Sequence, residues 1–156
     1  PLYESYTSSD ELEAALYEQT VKKLSGYEHY EVSNFAKPGF RSRHNMAYWT
    51  LKEYLGLGPS AHSFFGKKRY RFSSDITDRE LIFESPAGGE DEKLMLGLRL
   101  KDGVLGSPPL LEKMKLFAGQ GLGKINDGRF SLTAKGFLVS NSIIAELLAA
   151  LPVDLA

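Results

Sequence analysis

Cysteine is absent from all 156 residues. That excludes disulfides, thiolate-bound zinc and any cysteine-held iron–sulfur cluster within the chain. Long apolar runs are absent as well. No stretch approaches the roughly 20 residues of a membrane-spanning helix, and no secretory leader is recognisable. These absences are compatible with the cytoplasm, the location expected here. Histidine is scarce, with His29, His44 and His62 the only three. His44 and His62 lie 18 positions apart with no clear third ligand, which does not make a zinc site. A nucleophile–base set is missing too: Ser60 and Ser63 flank His62, but adjacency in sequence is not triad geometry.

What is present is ordinary globular composition, 42% apolar and 25% charged, enough for one sizeable core or two small lobes. The first residue is Pro1, and a helix-like pattern starts almost at once, so a piece cut from a longer protein is expected. Net charge is only −1, but it is blocked. Residues 1–31 carry −5, residues 32–73 carry +7, residues 74–92 carry −6 and the remainder +3. A basic block between two acidic ones points either to an anionic ligand near residues 37–71 or to neighbouring blocks that neutralise one another on one surface.

Ser9 and Asp10 cap a predicted helix to about Ser25, with Glu11 and Glu13 in its first turn and Lys22 and Lys23 in its last. Leu12 and Leu16 step along it. Tyr27 to Phe35 is rich in β-formers and is expected to be one strand, making half of a βαβ unit. Lys37-Pro38-Gly39 marks a turn, and residues 41–50 a short helix or ordered loop. Glu53–Gly58 is a strand candidate, Lys68–Ser73 an exposed or edge strand, and Asp75–Phe83 a short helix. Residues 85–91 are small, polar and turn-rich, as in a linker. Beyond them come a helix over 92–100, a helix opened by Pro108-Pro109, a hairpin over 124–132 turning at Asp127-Gly128, and one final helix capped by Thr133. That order suggests a winged-helix-like lobe. Helix 108–118 offers only Lys113 and Lys115, offset by Glu112, which is thin for a phosphate-binding face. A domain-packing role suits it better than nucleic-acid binding.

Gly56-Leu-Gly58-Pro-Ser60-Ala61 matches the dinucleotide pattern G-x-G-x-x-A. That pattern needs a helix opening inside the glycine run, and Pro59 and the strand-like KKRYRF oppose one. A glycine corner that admits a ligand to the backbone, or a plain tight turn, fits the residues instead. His29 has no partner pattern and is expected at the surface. His62 follows the glycine corner and is either aimed into a pocket or held by a structural hydrogen bond. His44 is the sharpest case. Arg41 and Arg43 precede it, and Asn45, Tyr48 and Trp49 follow. On a helix, His44 and Tyr48 share a face. Imidazole can ligate haem iron, aromatics can pack on a porphyrin, and arginines can pair with propionates. Equally, Tyr48 and Trp49 suit a core, with His44 a capping side chain.

Several segments in order carry a resemblance: Tyr30–Gly39 (YEVSNFAKPG), Ser42–Asn45, Tyr48-Trp49, Tyr54–Gly58 with Ala61–Ser63, Leu94–Leu100 (LMLGLRL) and Leu132–Asn141 (LTAKGFLVSN). Together they resemble the C-terminal half of the HemW haem chaperones, relatives of oxygen-independent coproporphyrinogen III oxidase in the radical SAM superfamily. The resemblance implies an α/β (α+β) fold: the last elements of a partial (β/α) radical SAM barrel over about 1–73, a linker over 74–91, and a small helical, winged-helix-like lobe over 92–156. It implies a [4Fe–4S] cluster and S-adenosylmethionine in the full-length parent, held through a cysteine motif that this chain lacks. It implies haem or porphyrin, the parent's N-terminal barrel half and a haem-recipient protein as partners. His44, Asn45, Tyr48 and Trp49 match the family's HNxxYW haem motif, with His44 the candidate ligand to haem iron. Gly58, Ser60, Ala61 and His62 would lie at the open end of the barrel, near S-adenosylmethionine and substrate. Between Gly103 and Leu132 the chain is shorter than the family pattern. Haem delivery is the function so implied, with a true coproporphyrinogen III oxidase as the alternative and a structural or nucleic-acid-binding winged-helix fragment as the third. The purified chain is predicted not to cleave S-adenosylmethionine, since radical initiation needs the cluster; cleavage by the chain alone, followed chromatographically, would contradict this.

Overall fold

The computed structural model describes residues 9–78 and 80–152. Helix α1, Asp10–Lys23, starts where Ser9 Oγ accepts from the Leu12 N–H, and its charged ends follow the helix dipole. It buries none of its residues fully, and Leu12 and Leu16 are about half exposed. The expected single strand after it is instead a small antiparallel hairpin, β1 (Glu28–His29) with β2 (Phe35–Ala36). The chain leaves β1 at Tyr30 because residues 30–32 pair elsewhere: Val32 N–H donates to the Arg99 carbonyl (2.9 Å) and Lys101 N–H to that of Tyr30 (3.0 Å). The turn at Lys37 is present, with Phe40 N–H bonded back to the Lys37 carbonyl. Helix α2, Arg43–Trp49, follows.

A three-stranded antiparallel sheet comes next: β3 (His62–Phe65), β4 (Lys68–Phe72) and β5 (Leu81–Pro86), with β4 in the centre. Three expectations are corrected here. Residues 68–73 are not an edge strand, because β5 covers their second side. Residues 75–83 hold a turn and the start of β5 rather than a helix, since Thr77 bonds back to Asp75 and Phe72 pairs with Leu81. Within the 74–91 segment, β5 occupies residues 81–86. Residues 53–58 form no strand beyond one bridge from Tyr54 to Phe64.

The rest is built from α3 (Glu90–Gly97), β6 (Val104–Leu105), α4 (Pro108–Gly119), β7 (Gly123–Asn126), β8 (Arg129–Leu132), α5 (Ala134–Leu138) and α6 (Ser140–Leu148). The strands form a second antiparallel sheet, in the order β6-β8-β7, and the hairpin turns at Asp127 and Gly128, both with positive φ. The single final helix expected after Thr133 is broken at Val139, where φ −114° and ψ 22° leave the helical range. Leu138 is left outside, while Phe137, Ile143, Ile144 and Leu147 enter the core. That core is one cluster, shared with Leu94 of α3, Leu98 just after it, Leu110, Met114 and Phe117 of α4, and Phe130 and Leu132 of β8. Every strand pairing among the described residues is antiparallel. Barrel elements expected in residues 1–73 thus have no parallel partner among them. No described helix is long and apolar enough to cross a membrane.

His29 is not a surface residue. Its ring stacks on Phe35 (centroids 4.2 Å), lies tilted against Phe137 (5.3 Å) and sits 3.5 Å from Tyr17 Oη and from the Val32 carbonyl. Three elements that are distant in sequence meet on it, which no local pattern could show. Burial holds its pKa below the usual value. The nearby Lys101 charge acts in the same direction, while the Val32 carbonyl and Glu31 oppose. Burial, then Glu31, pushes the Tyr17 hydroxyl up to about 12.

Two outcomes follow from this packing. Met114→Ala, at a site fully closed to solvent, is expected to cost about 2–5 kcal/mol in urea unfolding, whereas Leu116→Ala on the same helix, 58% exposed, is expected to cost under about 0.5 kcal/mol. A depressed histidine pKa means that the unfolded chain binds the proton more readily. The His29 contribution is therefore complete above the unfolded value of about 6.5 and is lost as pH falls through the lower folded value. Thermal midpoints are expected to drop across that acidic window and to drop less in His29→Phe.

Candidate functional site

The HNMAYW segment forms α2 because Ser42 caps it, with Ser42 Oγ accepting from the Asn45 N–H at 3.3 Å. The helix is stopped by a left-handed turn. Leu51 has φ 51°, its N–H donates to the Tyr48 carbonyl, and that of Lys52 donates to Ala47. Glycine usually fills this place, and a leucine there costs on the order of 1–2 kcal/mol. The Leu51 side chain is half-buried against a cleft, which offsets part of that cost.

Within α2, His44 and Tyr48 sit one turn apart with their rings edge to face, centroids 4.8 Å and planes at 83°. Tyr48 in turn meets Tyr54 edge to face at 4.6 Å. Tyr54 is anchored to the sheet: its N–H donates to the Phe64 carbonyl (2.8 Å), and the Phe64 N–H donates back (2.9 Å). Arg69 Nη1 donates to Tyr54 Oη at 3.3 Å, and Arg69 Nη2 donates to Glu92. Burial acts against the Arg69 charge; the Glu92 and Tyr54 contacts outweigh it and raise the pKa.

His44 is exposed, Asn45 half-buried and Tyr48 38% exposed. Among the described residues, no group donates to or accepts from the His44 imidazole. His29 and His62 differ in this respect, since both are partnered. Trp49 goes another way. It lines a cleft of about 360 Å3 with Leu51, Leu94, Val104 and Leu110, between α2 and the C-terminal lobe. The four motif residues thus face two environments.

Arg41 is not available to a ligand's carboxylates, contrary to expectation. It pairs with Glu28 and with Asp102, each at 2.6 Å. The Arg41 hydrogen bond holds the Glu28 carboxyl below its usual range, and the hydrogen bonds from Glu28 and Asp102 push the guanidinium up. Arg43 is exposed and has no ion pair among the described residues.

The second predicted group lies on the 56–62 corner. Gly58 (φ 103°) and Ser60 (φ 59°) are both left-handed and exposed, and no helix opens there. A Cβ on Gly56 would collide with the His62 carbonyl, so the missing side chain admits the chain's own backbone rather than a ligand. Ala61 pairs its carbonyl with the Phe72 N–H. His62 Nδ1 lies 3.0 Å from Glu84 Oε2, and Arg71 Nε 3.4 Å from the other carboxylate oxygen. Among the described residues, no hydrogen bond, ion pair or ring contact joins His44 or Tyr48 to Gly58, Ser60, Ala61 or His62. Two contributors were not foreseen: Tyr54, beyond the turn after α2, and Arg69, from the sheet. Spacing gives no signal for either, because the contact is made across elements.

No protein-family model matches the chain. Curated relatives do. The chain is 33% identical to a protein named Heme chaperone HemW from Lactococcus lactis subsp. lactis, over 90% of this chain and 43% of the relative. It is 30% identical to the Bacillus subtilis protein of that name, over 90% and 44%. A shorter stretch is 47% identical to the mouse Radical S-adenosyl methionine domain-containing protein 1, mitochondrial, over 35% of this chain and 13% of that protein. The first alignment runs over 168 positions, more than this chain has residues, so the relative carries stretches missing here. Among solved structures, the coproporphyrinogen III oxidase HemN of Escherichia coli, described as a radical SAM enzyme, matches with a TM-score of 0.61 at 18% identity, over 92% of this chain and 42% of that one. That likeness is one of fold. The chain spans about two fifths of the length of the curated relatives it matches. Over nine-tenths of its residues, this chain is similar to about two fifths of the length of proteins named Heme chaperone HemW.

Proposed function

We propose that this chain is the haem-binding part of a HemW-like radical SAM protein whose task is to hold and deliver haem, with His44 as the residue that would hold the haem iron. One observation carries this: of three histidines, His44 alone presents an exposed imidazole without a hydrogen-bonding partner among the described residues. An imidazole nitrogen with no competing proton donor is what a haem iron needs. Tyr48 holds one side of that ring and leaves the other open to solvent. Arg43, exposed and without an ion pair among the described residues, is the cation left for a propionate. Phe40, Leu55 and Leu57 are exposed near α2 in sequence and offer apolar surface to a porphyrin. When bound, haem would supply the iron and the macrocycle; the chain's own residues would bind it, orient it and release it to a recipient.

In the full-length parent, the N-terminal barrel half would carry the [4Fe–4S] cluster and S-adenosylmethionine, and residues up to about 73 would complete that barrel. The corner at Gly58, Ser60, Ala61 and His62 would face its open end, and residues from 92 onward would form the winged-helix-like lobe. The likeness to HemN favours a second reading, a true coproporphyrinogen III oxidase as parent. Nucleic acid is disfavoured. Lys113 and Lys115 of α4 are paired with Glu146 (3.9 Å) and Glu112 (2.8 Å), which leaves little free charge for phosphates.

Haem titration followed by Soret absorbance tests the proposal. Saturable binding with a shifted band is expected in the natural chain and is abolished in His44→Ala, with circular dichroism unchanged. A saturable band that survives the substitution, or none at all in a folded chain, would remove His44 as the ligand. Turnover of a porphyrinogen by the full-length parent, without stable haem binding, would favour the oxidase.

A further inference from the structure

The His44–Tyr48 pair lies on a helix of only seven residues, and Tyr48 is 38% exposed. Such a ring would sample several rotamers unless something beside it set one. Tyr54 does so edge-on, and Tyr54 itself is fixed at both ends. Its backbone exchanges two hydrogen bonds with buried Phe64, and its hydroxyl accepts from Arg69. Arg69 is fixed in turn. Its guanidinium lies 5.6 Å from the centre of the Phe64 ring and donates to Glu92, whose side chain is 16% exposed. Glu92 also accepts from the Gly88 N–H at 2.6 Å. A planar fork lets one cation serve Tyr54 and Glu92 at once, which a lysine cannot do. A relay of contacts thus runs from Glu92 of α3 and Arg69 of β4 through Tyr54 to Tyr48, whose ring meets the His44 imidazole.

We infer that Arg69 is a positioning residue for the His44 imidazole, acting through Tyr54 and Tyr48, with Glu92 holding Arg69 in place. The inference rests on His44 as the haem-binding group, but it has its own readout. The chain has three histidines, and His29 and His62 are held by other partners. Their imidazole proton signals serve as internal references for that of His44.

The experiment records these signals by NMR in the ligand-free natural chain and in Tyr54→Phe, Arg69→Gln and Arg69→Lys, and then titrates each with haem. The His44 signals are expected to move in all three variants while those of His29 and His62 stay in place. Haem affinity is expected to fall about 2–10-fold, the range that one net hydrogen bond supports. Lysine keeps the charge without the fork, so it is expected not to rescue; rescue by lysine would mean an ordinary ion pair and would overturn the role. Unchanged His44 signals, or a common shift of all three histidines, would overturn it as well. Movement of His44 alone in a chain that binds no haem would support the positioning chain and remove the haem assignment. Should the Arg69 variants fail to fold, Tyr54→Phe, which loses one oxygen atom, carries the test.

Discussion

The antiparallel pairing of residues 30–32 with 99–101 is the contact on which the rest of the molecule depends. The C-terminal half has its own core, but the first third has almost none: α1 buries nothing fully, and the β1–β2 hairpin is two residues wide. Such elements are marginal alone. They are held because Tyr30 and Glu31 are buried as the chain crosses the lobe, and because Arg41 ties Glu28 of the hairpin to Asp102 beyond the pairing. The His29 cluster closes the same seam from the other side, with Tyr17, Phe35 and Phe137 around one ring. Exposed ion pairs are worth little singly. Here one guanidinium spans two carboxylates from different parts of the chain, and its value lies in fixing their relative place.

Helix α2 hangs between these parts, and its short length divides its residues between two neighbours. Tyr48 turns toward Tyr54 and carries the exposed His44 ring against it, while Trp49 and Leu51 turn to the cleft against α3 and β6. A seven-residue helix has too few intrahelical bonds to hold itself in water. Its cap at Ser42, its left-handed stop at Leu51 and its contacts on both sides hold it instead. The motif is therefore a junction as well as a candidate site. Changes in the sheet or in the lobe reach His44 through packed rings rather than through the helix backbone.

Much of the C-terminal half was legible in the residues. Pro108-Pro109 opens α4, Asp127-Gly128 turns the hairpin and Thr133 caps the next helix, because each of these residues acts on its own backbone within a few positions. Ser9 is legible for the same reason. The misreadings share a cause. Residues 27–35 were expected as one strand and 75–83 as a helix, and in each place pairing with another segment, residues 99–101 for the first and β4 for the second, decides the conformation. Hydrophobic content alone could not show that β5 covers β4, nor that Arg69 spends its charge on Glu92.

By itself, then, the sequence determined the lack of a cysteine-held cluster within this chain, the starts of α1, α4 and α5 and the HNMAYW segment that carries the resemblance. These depend on residue identity and on interactions over three or four positions. Only the tertiary structure decided which histidine stays free. His29, His44 and His62 are alike as residues, yet one is packed among aromatic rings, one faces a carboxylate on another strand, and one remains open on α2. That difference comes from long-range packing, whose partners are chosen by the whole fold rather than by neighbours in the chain.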